Sequence, residues 1–293
     1  MRGDELDVIC VGHASYDHVF SVPHHPVEDE KLFADALVGC GGGPAANAAV
    51  TVARLGLRAG FAGYLGRDVH GQLHDAELRA EGVDTRHVVR GEAPTPVSVV
   101  LVKPDGCRAL VCYKGATAKL AADQVDFFGL TAKVALFDGH EPEVAESLLC
   151  GSQATVLDAG SLHAGTESLM FRVGHLVCSE KFATQWLGES RPELAIAGLA
   201  ERSPVVVITL GERGLIWRKG VESGSVPAFP VEAEDSTGAG DAFHGAYAAA
   251  LALDMPWLDT LRFASAAGAA CCERLGARPG MPDRAAIERW LTA

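Results

Sequence analysis

The segment Glu234-Asp235-Ser236-Thr237-Gly238-Ala239-Gly240-Asp241-Ala242-Phe243-His244-Gly245, with the alanine-rich run that follows it to Leu253, constrains this chain more than any other. Two glycines separated by one small residue leave backbone N–H groups uncovered. The run after them is helix-forming, with Phe243, Ala246, Tyr247, Ala250 and Leu251 on one face. Bare amides therefore fall at a helix N-terminus, which carries partial positive charge and suits a phosphate or a developing oxyanion. Asp241 falls in the first turn, where it can orient a hydroxyl and take its proton. A helix start with Asp241 merely complementing the dipole accounts for the local pattern equally well.

Elsewhere the chain alternates short apolar runs with helical stretches. Asp7 to Gly12 reads as a buried parallel strand. Gly12-His13-Ala14-Ser15-Tyr16-Asp17 supplies only the first glycine of a dinucleotide fingerprint, which disfavours a Rossmann nucleotide site. Asp17 falls just past the strand end, where open α/β sheets bind ligands, although a solvated loop aspartate reads the same way. Val19 to Leu37 is polar and proline-marked. Gly41-Gly42-Gly43 then lets a ligand approach the backbone, and Pro44 opens a helix predicted to run to about Leu55. Asn47, in its first turn, both donates and accepts, as a diol requires. A plain glycine turn into a core helix is the alternative.

Gly60 to Gly66 is a further strand, with a helix after it to about Glu81. Pro96 to Lys103 and Cys107 to Tyr113, joined by Pro104-Asp105-Gly106, predict a hairpin whose two faces are both fairly apolar and need cover. Val134 to Asp138, Thr155 to Asp158, Leu176 to Cys178 and Val205 to Leu210 continue the strand series, which argues an α/β fold with a doubly wound parallel sheet. Asp138, His140 and Asp158 fall near its carboxyl edge, where each could as easily be a turn residue.

The chain resembles the ribokinase-like (PfkB) family of carbohydrate kinases. Asp235, Thr237, Gly238, Ala239, Gly240 and Asp241 match one of its motifs, with Ser236 inside it. Gly42, Gly43, Asn47, Ala49, Leu55 and Gly56 match a second, Gly66, Asp68 and Gly71 a turn, and Thr209, Gly211 and Gly214 a nucleotide-contacting segment. The resemblance covers nearly the whole chain. It implies one ribokinase-like domain over 1–293: a doubly wound, mainly parallel sheet with helices on both faces, plus a small β-sheet lid from roughly 13–37 and 95–115.

By the same resemblance the protein is an ATP-dependent kinase that phosphorylates a hydroxyl of a small carbohydrate. Gly238, Ala239 and Gly240 would form the anion hole and Asp241 the catalytic base. Asp17, Gly42, Gly43 and Asn47 would hold the sugar. Thr209, Gly211 and Gly214 would hold the nucleotide together with Gly238 and Gly240. The Gly276 to Pro282 loop would border the adenine and, with Asp235, hold K⁺. Where many members use an Asn, and a Glu three positions on, to organise Mg²⁺, this chain has Ser179 and Phe182, leaving Glu180 as the nearby acid for Mg²⁺. A homodimer through the lid is also implied. The runs Phe243-His244-Gly245-Ala246, Gly41 to Ala46 and Arg262 to Ser265 look like those of ketose (fructose-like) kinases. A nucleoside (adenosine-type) kinase is the alternative, though only 6% of residues are aromatic for stacking on a base. A catalytically silent sugar or nucleotide sensor is a third reading.

Charge bears on this directly. A formal net charge of −13 excludes a broad electrostatic footprint for nucleic acid, so ATP must be held by local amides, a few cations and Mg²⁺. Eight cysteines without zinc spacing read as buried thiols of a cytosolic protein. The acidic stretch Met1 to Asp7 resembles neither a secretory signal nor a membrane anchor, so the cytoplasm is the expected location.

Overall fold

Strand β1 (Asp4–Val11) divides its side chains between two cores, with Val8 and Cys10 in one and Ile9 and Val11 in the other. A strand buried on both faces needs helices above and below it. The computed structural model describes residues 4–292 and supplies them; Met1 to Gly3 lie outside the described residues. From β1 the chain crosses to a second sheet through β2 (Ser15–Ser21) and β3 (Ala36–Gly42), then enters α1 (Pro44–Arg54). Next come β4 (Ala59–Gly66), α2 (Val69–Ala80), β5 (Asp84–Gly91), and the hairpin β6 (Val97–Val102) and β7 (Arg108–Tyr113). It returns as β8 (Leu130–Phe137), α3 (Pro142–Glu146), β9 (Ala154–Ala159), α4 (Ala164–Leu169), β10 (His175–Ser179), α5 (Glu180–Leu187) and α6 (Pro192–Leu199). The last part is β11 (Val205–Thr209), β12 (Leu215–Lys219), β13 (Glu222–Val226), α7 (Ala239–Ala252), α8 (Trp257–Cys271), α9 (Ala277–Gly280) and α10 (Arg284–Thr292).

The main sheet has nine strands in the order β13-β12-β11-β10-β9-β8-β1-β4-β5. All of its pairs are parallel except the antiparallel edge of β11, β12 and β13. One face packs on α1, α7 and α8 and the other on α3 to α6, so the doubly wound sheet expected from the sequence is present. The smaller sheet, β3-β2-β6-β7, has a slight core of Val19, Val100 and Val102. Its outer strand leaves Val111 and Tyr113 71% and 63% exposed.

Three expectations change. Gly39 to Gly42 are not loop but strand, because β3 pairs with β2 in the register Tyr16↔Gly41 and Ser15↔Gly42. Asp17 stands within β2 and is 6% exposed, so it is neither a loop residue nor solvated. Of the eight free cysteines, Cys107, Cys112 and Cys150 are exposed. The first two lie in and beside the outer lid strand, whose alternation suggested burial that the main body does not provide.

Candidate active site

Parallel sheets place ligands where the strand order reverses, outside the carboxyl ends. Here β1 has β4 on one side and β8 on the other, and the turn after β8 begins with Asp138. Its carboxylate accepts three backbone N–H groups, from His13 at 2.7 Å, His140 at 2.8 Å and Ala45 at 3.3 Å. Asp138 thereby ties the end of β1 to the start of α1. This knot brings Asn47, in the first turn of α1, against the first turn of α7.

The N-cap of α7 is Gly238 at φ 84°, a left-handed conformation that favours glycine. A Cβ there would also lie 2.7 Å from Ala277 Cβ. The first N–H groups of α7 have no helical acceptor, and Ala239 N–H meets Ser236 O only at 3.4 Å. Asp241 sits in this turn and accepts a hydrogen bond from Asn47 Nδ2 at 2.7 Å. Burial and the Asp17 and Asp138 carboxylates push Asp241 above the ordinary carboxylate range, opposed by Asn47 and the Arg108 charge. Asp17 is likewise raised by burial, against hydrogen bonds from Ser15 and Ser98. Its carboxylate lies over Gly42, where a Cβ would come within 2.0 Å of Oδ2. Beneath the turn, His244 Nδ1 lies 2.6 Å from Gly240 O and Nε2 3.2 Å from Val177 O, which fastens α7 to β10.

Beside α7 opens a cleft of about 1090 Å³, large enough for a nucleotide. Its lining includes Thr209, Gly211, Gly214, Ala239 and Gly240, so two of the sequence motifs meet in one cavity. Its walls are the 228–233 segment and α8 rather than the Gly276 to Pro282 loop, which turns through α9 behind Asp235. The lid hairpin also reaches the cleft through Asp105, Gly106 and Cys107. Next to them Arg108 donates to Ser236 Oγ at 3.4 Å.

Two residues were not legible as site components. Arg278 is 1% exposed, and its Nε donates to Asn47 Oδ1 at 3.2 Å while an Nη donates to His74 Nε2 at 3.1 Å. Arg108 carries no local signal, and only the folded hairpin brings it near Asp241.

The two metal positions differ in fit. Glu180 is bound to the Arg213 guanidinium, and among the described residues no group of three His, Cys, Asp or Glu side chains is arranged to hold a metal. Glu180 is thus paired to a cation through Oε2. Asp235 is fully buried and takes hydrogen bonds from Thr237 N–H, Thr237 O–H and Gly276 N–H, with no cationic side chain in ion-pair contact among the described residues. A buried carboxylate without a counter-charge suits a monovalent cation.

Residues 5–284 match the model of the pfkB family carbohydrate kinases. The chain belongs to this family. Among pfkB relatives and their kin it is 28% identical to a ribokinase of Bacillus subtilis, with 97% of this chain and 99% of the relative covered. It is 31% identical to fructokinase-1 of Zea mays, with 97% of each covered. A nucleoside kinase of Methanothermobacter thermautotrophicus is 28% identical, over 99% and 97% of the two chains. The structure of Arabidopsis thaliana ribokinase complexed with ribose and ATP superposes with a TM-score of 0.82 at 26% identity, covering 98% and 99% of the chains. As a pfkB protein this chain is a kinase of the sugar and nucleoside group. Among the described residues no helix is long and apolar enough to cross a membrane.

Proposed function

We propose that this protein transfers the γ-phosphoryl group of ATP to a hydroxyl of a small sugar, with a ketose as the leading acceptor. The observation that carries the reading is the position of Asp241: its carboxylate, held by Asn47, stands in the first turn of α7, next to Ala239 and Gly240 of the cleft wall and within the electrostatic reach of Asp17. ATP lies in the cleft against Thr209, Gly211 and Gly214, and Mg²⁺ enters with it as part of the substrate. The γ-phosphate meets the uncovered amides of Gly238, Ala239 and Gly240, with Arg108 above it. Asp17, Asn47 and the backbone of Gly42 and Gly43 hold the sugar. Its hydroxyl oxygen bonds to the γ-phosphorus as the bond to the β,γ-bridging oxygen breaks; Asp241 takes the proton and ADP leaves. Asp235 would hold K⁺, whose charge would steady the loop before α7.

A second copy covering β7 is the proposed dimer, since that strand exposes Val111 and Tyr113. The test of function is ADP release from Mg²⁺-ATP across ketoses, aldoses, sugar phosphates and nucleosides, with Asp241→Ala alongside. Acceptor-dependent ADP that vanishes in the variant supports the reading. Silence with every acceptor, alongside tight ligand binding, moves it to a sensor.

A further inference from the structure

Three histidines stand at the carboxyl ends of three neighbouring strands: His13 after β1, His140 after β8 and His163 after β9. Their rings form a row. The His13 and His140 centroids are 4.9 Å apart, as are those of His140 and His163, the latter pair stacked with planes 21° apart. All three are partly buried, His13 the most deeply of those whose burial shifts them. Because the rings stack rather than converge, they are not arranged as a metal site.

Charge around the row is lopsided. Lys114 acts on His13 and His163, Lys119 acts on His163, Asp138 is the acid that acts on both rings, and the two lysines also act on Glu141. Those acids are engaged: Asp138 takes its three backbone N–H groups, and Glu141 accepts Leu120 N–H at 2.6 Å. The lysines reach Glu141 only at longer range. Among the described residues Lys114 and Lys119 have no ion pair, and the His13 and His140 rings have no hydrogen bond. Unpartnered donors and cations have gathered at one sheet edge of a chain with net charge −13. The N–H groups of His13 and Ala45 share Asp138 Oδ2, and Ala45 stands two residues before Asn47, the partner of Asp241, so the row begins beside the catalytic turn.

We infer that the acceptor carries an anionic substituent, a phosphate, sulfonate or carboxylate, at the end away from the reacting hydroxyl, received by His13, His140, His163, Lys114 and Lys119. The inference rests on the kinase reading for the position of the reacting end. Burial and the neighbouring His140 hold His13 at about 4, so in the free site this ring is neutral at pH 7. An anion beside it favours the imidazolium, and binding takes up protons.

The test has two arms. In the first, kcat/KM is measured for a ketohexose, its 6-phosphate, its 6-deoxy-6-sulfonate and the corresponding sugar acid, with wild type and His140→Ala. The expected result is a preference for one charged member by about 100-fold or more, cut at least about tenfold in His140→Ala, with a smaller loss for the neutral sugar than for the charged one. Preference for the neutral sugar, with His140→Ala indifferent, overturns the inference and leaves the kinase standing. In the second arm, imidazole ¹⁵N resonances are followed during titration with inorganic phosphate, and proton uptake is read by calorimetry in two buffers. Shifts of the three rings with proton uptake, both lost in Lys114→Ala/His140→Ala, support the anion site even if no acceptor is turned over. Rings that ignore phosphate in a protein also silent with every acceptor overturn both readings.

Discussion

Asn47 donates its Nδ2 to Asp241 Oδ2 at 2.7 Å, joining the first turns of two helices 194 positions apart. The orientation of that amide is dictated. On its other side stands Arg278 Nε, 3.2 Å from Oδ1, and a guanidinium can only donate. The carbonyl of Asn47 must therefore face Arg278 and its NH₂ must face Asp241. A fully buried arginine thus fixes the carboxylate that we assign as the base.

Replacing Asp241 by Asn keeps the shape and removes the proton acceptor. Turnover is expected to fall on the order of 100-fold or more, with nucleotide affinity little changed. Steady-state kinetics and calorimetric ATP binding check this, and near wild-type turnover would remove Asp241 from the mechanism.

In the proposed reaction Asp241 acts as the carboxylate, and the Asn47 hydrogen bond favours that form against burial and the Asp17 and Asp138 charges. Activity is lost as pH falls through the raised Asp241 value. Asn47→Ala removes a stabilising partner of the charged form, so the acid limb of the kcat profile should move to higher pH. An unmoved limb would show that another group sets it.

Arg108 is exposed, so its removal should leave thermal stability within about 0.5 kcal/mol of wild type. Turnover of Arg108→Ala is nonetheless expected to drop about tenfold or more, because in the proposed reaction the cation faces the phosphoryl group in transit. Equal turnover would return Arg108 to the solvent-facing lysines and arginines of the surface.

Glu141 is 7% exposed, and burial raises it to about 7, assisted by Asp138. The sign follows from linkage. A folded value above the unfolded 4.5 contributes stability that is full below pH 4.5 and lost as pH rises through about 7. Glu141→Gln should therefore flatten this part of the stability profile, so the difference in Tm between variant and wild type grows in the variant's favour from pH 4.5 to pH 7. A pH-independent difference would contradict it.

Val111 is the most exposed apolar residue of β7, at 71%. Val111→Asp is expected to shift the protein toward monomer in light scattering without unfolding it. A wild type that is monomeric at high concentration would refute the lid dimer directly.

Much of this could be read from the residues alone. Pro44 opens α1 and Gly238 caps α7, because steric and capping preferences act within a few residues. The Asp105-Gly106 turn sets the hairpin, and Asp241 falls in the first turn as expected. Asp17 was expected beyond a strand end and stands within β2, which belongs to a sheet whose partner strand, β6, lies far along the chain. The glycines of β3 were read as loop because glycine marks turns more often than strands. Only the pairing with β2 and the carboxylate over Gly42 show why small residues stand there.

By itself, the sequence determined the local elements, the α/β class and the glycine turn into α7 with its aspartate, all of which depend on period, caps and backbone freedom over short spans. The tertiary structure decided which side chains meet. Arg278 reaches Asn47, Arg108 approaches Asp241, and the three histidines form a row because β4, β1, β8 and β9 lie side by side in an order the chain does not follow. Contacts between distant residues carry no local signal, since each partner alone is only a polar residue with several possible fates.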